Sequence, residues 1–297
     1  MALSFVQWGA GNIGRSFIGS VFNKSGYKVT FIDIDTHLIE ALNKASSYVV
    51  KTIDGSVTKD IVVQGVSAVN GNNQEEVNNA IIGASLIGVS VGKNVWPHIA
   101  SSLAKAIISR YKEKPREPLN IILAENIHHA SDFVTSLITP HLPDKFPFTT
   151  YVGLVETSIG KMVPLQDTHQ PLVLKSEVYN ELIVDKNGFI GALPEVKDLH
   201  PVTPIEAYVD RKLFIHNLGH ATTSYVGFST HPNSPLIATV LEDKEVLTEV
   251  REAMIESSEV LLELYPTVFT NIDLLEHIDD LLRRFQNLAL GDTLYRV

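Results

Sequence analysis

The segment YVDRKLFIHNLGHA, from Tyr208 to Ala221, sets Lys212, Asn217 and His220 in a K-x-x-x-x-N-x-x-H spacing. Each type has a use in proton and charge transfer. A lysine desolvated near another cation loses affinity for its proton and can act as a general acid/base near neutral pH. An asparagine amide can donate to a carbonyl or alkoxide oxygen, and a histidine can hold a neighbouring hydroxyl. On an α-helix, Asn217 and His220 share a face while Lys212 lies about two turns earlier on a long stem. The same spacing also fits an amphipathic helix whose lysine and histidine face water.

A second constellation stands near the N-terminus. VQWGAGNIG (Val6 to Gly14) places Gly9, Gly11 and Gly14 in a G-x-G-x-x-G spacing, with Ala10, Asn12 and Ile13 between them. In a phosphate-binding turn the first glycine permits a sharp strand-to-helix reversal and the second admits the pyrophosphate to bare backbone. The third lets the helix pack closely on the strand, and the helix N-terminus supplies free N–H groups. The pattern alone is weak, but here a strand-like run precedes it and an amphipathic run follows. Asp33 lies 19 residues beyond Gly14, at the end of FIDID. That is where a carboxylate would accept hydrogen bonds from an adenosine ribose, and it would repel a 2′-phosphate, favouring NAD over NADP. Asp35 is a rival two positions further on.

Two later loops follow apolar runs and belong at the same end of a sheet. SVGKN places Val91 and Gly92 at a cofactor cleft with Lys93 at its mouth; AENIHH places Glu125 and Asn126 there. His128 and His129 invite a metal reading, but adjacent side chains diverge and no third ligand is apparent, so no metal is expected.

The elements that must position these residues are legible as alternating runs. LSFVQW, YKVTFIDID, ASLIGVSVG and LNIILAEN read as strands. NIGRSFIGSVFNKSG, THLIEALNKAS and WPHIASSLAKAIISRYKEK read as helices between them. That alternation predicts an α/β, doubly wound parallel sheet. TTYVGLVETSIGKMVPL and PLVLKSEVYNELIVD add strands, with NGFIG a turn. From Pro204 onward helical periods dominate, so a first domain over residues 1–200 and a helical domain over 201–297 are expected. The switch falls in GALPEVKDLHPVTP. No run spans a bilayer and no secretory signal is visible. Cysteine is absent, which excludes disulfides, thiolate nucleophiles and cysteine zinc sites, and the net charge of −10 argues against nucleic-acid or membrane partners. A cytoplasmic monomer acting on a small molecule is the simplest reading.

Taken together, GAGNIGRSFIG, AENIHHA, ETSIGKMVP (Glu156 to Pro164) and YVDRKLFIHNLGHA resemble the polyol-specific long-chain dehydrogenases, in family order over essentially the whole chain. The last motif is fairly specific and the first is not. The resemblance implies a Rossmann-type NAD domain, a mainly helical C-terminal domain, and metal-free hydride transfer between D-mannitol 1-phosphate and D-fructose 6-phosphate. It implies Lys212 as general acid/base, Asn217 and Asn126 polarising the reacting oxygen, and His220 binding substrate or orienting the lysine. Candidate contacts to a substrate phosphate are Arg211, Lys161 and His216; Lys161 stands where many relatives carry arginine. The alternatives are a member acting on an unphosphorylated polyol or a hexuronate, and a non-catalytic NAD-binding protein. Family members normally continue beyond this end, so the helical domain is expected to be incomplete there.

Overall fold

The computed structural model describes residues 3–164, 166–167 and 169–296. Its contacts divide the chain into two compact units. The first holds Met1–Lys51, Asp60–Lys175 and Tyr179–Ile205; the second holds Thr52–Lys59, Ser176–Val178 and Glu206–Val297. The change-over in the main chain thus comes at Ile205, a few residues after the expected boundary.

In chain order the run up to Ile205 carries β1 (Ser4–Trp8), α1 (Ser20–Lys24), β2 (Lys28–Asp33) and α2 (Thr36–Ala45). Next come β3 (Ser47–Asp54), β4 (Val57–Gln64), β5 (Ser67–Asn70), α3 (Gln74–Gly83) and β6 (Leu86–Val89). They are followed by α4 (Trp96–Glu113), β7 (Leu119–Leu123), α5 (Ala130–Ile138), α6 (Phe148–Tyr151) and β8 (Val152–Ser158). The last strands are β9 (Val173–Glu177), β10 (Leu182–Asp185) and β11 (Leu199–Val202). Eight strands form one sheet in the order β11-β10-β8-β7-β6-β1-β2-β5. Phe5 and Phe31 pack into one core cluster, Val6 and Ile32 into another. Alternate side chains of β1 and β2 therefore enter opposite layers, the pattern of strands covered on both faces.

The expected parallel sheet holds from β5 to β8, but β10 runs antiparallel to β8. The expected interdomain switch contains β11, which pairs in parallel with β10. Its Pro201 lacks a ladder donor and is tolerated because β11 is an edge strand. The run from Thr149 to Leu165 is a short helix and then β8, ending at Ser158; Leu165 lies outside the described residues. The β3–β4 hairpin turns at Gly55-Ser56 with Gly55 at φ +58°, and a glycine at the first turn position is the signal for it.

The second unit carries α7 (Ile205–Arg211), α8 (Leu218–Thr230), α9 (Ile237–Val240), α10 (Lys244–Leu264) and α11 (Asn271–Phe285). Thr270 and Asp273 form a capping box that starts α11. Helix α10 packs on α8, and Gly219 lets it: a Cβ there would come within 2.7 Å of Met254 Sδ. At the far end of α11, Arg284 makes a bidentate pair with Glu177, at 2.8 and 2.7 Å, with both side chains almost fully buried. Among the described residues no helix is long and apolar enough to cross a membrane.

Removing one member of a buried ion pair strands the other, which costs about 3–5 kcal/mol. Arg284→Leu should therefore shift the denaturation midpoint strongly downward. The double variant Glu177→Leu/Arg284→Leu should recover much of the loss, read by urea unfolding.

Candidate active site

The glycine turn is built by steric necessity at two of its three positions. Gly9 sits at φ +91°, and a Cβ there would lie 2.4 Å from the Ser90 carbonyl oxygen. A Cβ at Gly14 would lie 2.0 Å from the Gly9 carbonyl oxygen. At Gly11 a Cβ would meet nothing within 4 Å. No neighbour among the described residues explains that missing side chain.

Asp33 closes onto this turn. Its Oδ2 accepts from Ala10 N at 2.7 Å, and its Oδ1 accepts from Ile34 N and Asp35 N at 2.7 and 3.1 Å. Asp35 serves α2 instead, where its carboxylate accepts from His37 N and Leu38 N and caps the helix. Gly9, Gly11, Asp33, Ile34, Ser90 and Val91 border a cavity of about 240 Å³. Asn12 and Ile13 lead into a π-helical turn, Gly14–Gly19, that precedes α1. Arg15, buried in that turn, donates from Nε to the Ala10 carbonyl and from its guanidinium to the Pro171 carbonyl.

Glu125 faces inward. Its carboxylate accepts from Val91 N (2.8 Å), Gly92 N (3.0 Å) and Trp96 Nε1 (3.0 Å). Burial pushes its pKa up, and these hydrogen bonds oppose the shift. The carboxylate thus holds the loop that borders the cavity. Asn126, the next residue, is exposed. Lys93 rests over the Phe133 ring, 5.7 Å from its centroid. His128 and His129 are exposed with ring centroids 6.3 Å apart. Among the described residues no group of three His, Asp or Glu is placed to hold a metal. Lys161 is buried against the Phe17 ring and donates to the Tyr179 carbonyl and to Asn180 Oδ1. Its charge is directed at the connection between β9 and β10.

In the second unit, α7 runs into α8 through a π-helical segment, Lys212–Asn217. An α-helical reading of the spacing puts Lys212 about two turns from its partners. The i→i+5 repeat of a π-helix instead brings residues five apart onto one face, one turn away. Lys212 and Asn217 are so related. Burial pulls the Lys212 pKa down to about 8. His220 is stacked on Phe285, centroids 3.9 Å apart, with Nε2 3.5 Å from Asp292 Oδ2. His216 packs edge-on against His220 at 5.2 Å. Burial, then His220 and Arg284, drive the His216 pKa well below its ordinary value, so its ring is neutral. A neutral imidazole brings no charge to a phosphate. Arg211 lies over the rings of Tyr208 and Phe269, 4.9 and 5.5 Å away. His277 is pulled down to about 3 by burial, with Arg211 and Arg284 adding to the effect.

The family models for the mannitol dehydrogenase Rossmann domain and C-terminal domain match residues 4–198 and 204–297. The chain belongs to the mannitol dehydrogenase family. It is 35% identical over 98% of its length to a mannitol-1-phosphate 5-dehydrogenase of Buchnera aphidicola subsp. Acyrthosiphon pisum (strain APS), covering 75% of that protein. It is 34% identical over 98% of its length to one from Geobacillus stearothermophilus, covering 76% of it. The chain thus spans about three quarters of these relatives. Its fold is similar to that of Pseudomonas fluorescens mannitol 2-dehydrogenase in a ternary complex with NAD and D-mannitol. That likeness has a TM-score of 0.79 at 12% identity and covers 100% of this chain and 71% of the other.

Several residues of this mannitol dehydrogenase fold's glycine-turn cavity carry no signal in the sequence. Ser90 is seated by Gln7, whose Nε2 donates to its Oγ at 2.9 Å across 83 residues. Ile34, 69% exposed, borders the same cavity. The asymmetry among the glycines gives a test. Gly11→Val should leave the melting temperature unchanged but abolish dinucleotide binding. Gly14→Ala should destabilise the fold by at least about 1–3 kcal/mol, measured by thermal unfolding and NADH titration.

Proposed function

We propose that this chain interconverts D-mannitol 1-phosphate and D-fructose 6-phosphate with NAD, using Lys212 as the general acid/base. The observation that carries the reading is the lysine itself. It is half-buried, drawn down to about 8, and one π-helical turn from Asn217. The relatives' name for their own activity supports the choice of substrate.

The residues at the glycine turn suit a dinucleotide. The open space at Gly11 admits a pyrophosphate to bare backbone, and Asp33 presents a carboxylate at the end of β2. A 2′-phosphate would meet that negative charge, so NAD is the fitting form. When bound, its nicotinamide would supply or accept a hydride. The rest of the reaction belongs to the chain.

In the oxidising direction neutral Lys212 takes the proton of the reacting hydroxyl as the carbon becomes a carbonyl. In the reducing direction the ammonium returns that proton to the carbonyl oxygen. Asn217 donates an amide N–H to the same oxygen and stabilises the charge it gains. His220, held flat against Phe285, is oriented to bind a substrate hydroxyl or hold the lysine. A lysine in this role needs no metal-bound water. For the phosphate, Arg211 is the best of the three candidates. Lys161 is tied to a carbonyl, and His216 is neutral. An arginine shelved on two aromatic rings keeps its charge and can offer in-plane N–H donors to an oxyanion.

Lys212→Ala should abolish turnover while leaving NADH affinity nearly unchanged; surviving turnover would remove the lysine from the mechanism. The pH profile is signed. Below about 8 the folded protein holds Lys212 charged, and above it neutral. Oxidation of the polyol phosphate should rise with pH through about 8, and reduction should fall through the same range. NADH oxidation with fructose 6-phosphate should far exceed that with fructose. Equal rates would sink the phosphate assignment and favour a polyol dehydrogenase for free sugars.

A further inference from the structure

The cavity beside the glycine turn has a second wall, the loop from Ser90 to Gly92 after β6. Gly92 lies at φ +86°, so this loop reverses sharply before α4. Backbone N–H groups at such a reversal have no sheet or helix partner and must find one elsewhere. Here the partner is a single carboxylate. Glu125, two residues beyond the end of β7, accepts from Val91 N, Gly92 N and the indole of Trp96. Trp96 is fully buried at the first position of α4. One side chain therefore ties together the end of β7, the loop after β6 and the start of α4. Ser90, at the other end of the loop, is held by Gln7.

We propose that Glu125 is the positioning residue of the cofactor site, setting the loop that carries Val91 at the distance a bound dinucleotide requires without touching the ligand. The proposal rests on the dinucleotide reading of this cavity. A carboxylate is needed because three donors converge on it. All three reach Oε1, and Gly92 N also lies 3.1 Å from Oε2; a glutamine that keeps them on its amide oxygen sets its NH2 against the Gly92 N–H, donor facing donor, which displaces the loop. The residue after Glu125 is Asn126, so the same anchor governs where that amide begins.

The experiment is NADH fluorescence titration of the full chain beside thermal unfolding and steady-state kinetics, with three variants. Glu125→Gln should raise the Kd for NADH, and its KM, by roughly tenfold or more. The KM for the sugar substrate should move far less. Trp96→Phe, which keeps the two backbone donors, should weaken NADH by a smaller factor. Arg110→Met serves as the stability control. Arg110 is buried on α4 and donates to the carbonyls of Ile81, Ile82 and Ala84, remote from the loop. It should lower the melting temperature with NADH affinity unchanged.

A Kd for E125Q within about twofold of the wild type overturns the proposal, and so does an equal loss of affinity in R110M at the same loss of stability. Should E125Q fail to fold, W96F decides: a Kd raised about threefold supports the anchor, and an unchanged Kd overturns it. A wild-type chain that binds no NADH overturns the dinucleotide reading and the anchor with it. The other negative outcomes leave that reading standing.

Discussion

Everything at the carboxyl end of the sheet depends on how closely two backbone turns approach. The carbonyl of Ser90 and the carbonyl of Gly9 occupy the space where Gly9 and Gly14 would otherwise carry methyl groups. The two loops can pack in this way only because β1 and β6 are neighbours in the sheet, although they are separated by some 80 residues of chain. In an α/β sheet the crossover order changes direction there, and the gap between the diverging loops is the natural ligand cleft. Asp33 then finds Ala10 N within reach, and the space at Gly11 stays open.

Buried polar groups in this region are used for placement. Glu125, Gln7 and Arg15 all direct their side chains to backbone or loop groups near the cavity. A buried acceptor or donor with several partners makes displacement costly, because each broken bond leaves a desolvated group behind. Such groups give loops the rigidity of the strands that carry them. In the helical unit the Arg284–Glu177 pair anchors the end of α11 and the His220–Phe285 stack ties α11 to α8. Lys212 differs from these. Desolvation acts on its charge and draws its pKa down to about 8.

Much of this is legible in the sequence, for reasons that differ by element. The strands β1, β2, β6 and β7 are short apolar runs bounded by turn residues, and α4, α10 and α11 have clean helical periods; local pattern suffices for these. The glycine spacing with Asp33 is readable because three separate physical demands fall on nearby residues. The antiparallel turn of β10 and the strand β11 are not readable, since strand direction and partner are set by distant chain. A place just past a strand end puts Glu125 at the cofactor end of the sheet. The direction of its side chain depends on Val91, Gly92 and Trp96, some 30 residues away, and no local pattern carries that.

The sequence by itself determined the family, the alternation of strands and helices, and the residue types available for chemistry. Those follow from local propensity, periodicity and motif spacing, which act over a few residues. Only the tertiary structure decided which of these groups carry a perturbed charge and which are held by neighbours. It separates Asp33 at the cavity from Asp35 at a helix cap, makes His216 neutral, and ties Lys161 to a carbonyl. It also converts the five-residue spacing from Lys212 to Asn217 into a single turn of π-helix. Burial and long-range hydrogen bonding are properties of the packed chain, and they alone set proton affinity and side-chain direction.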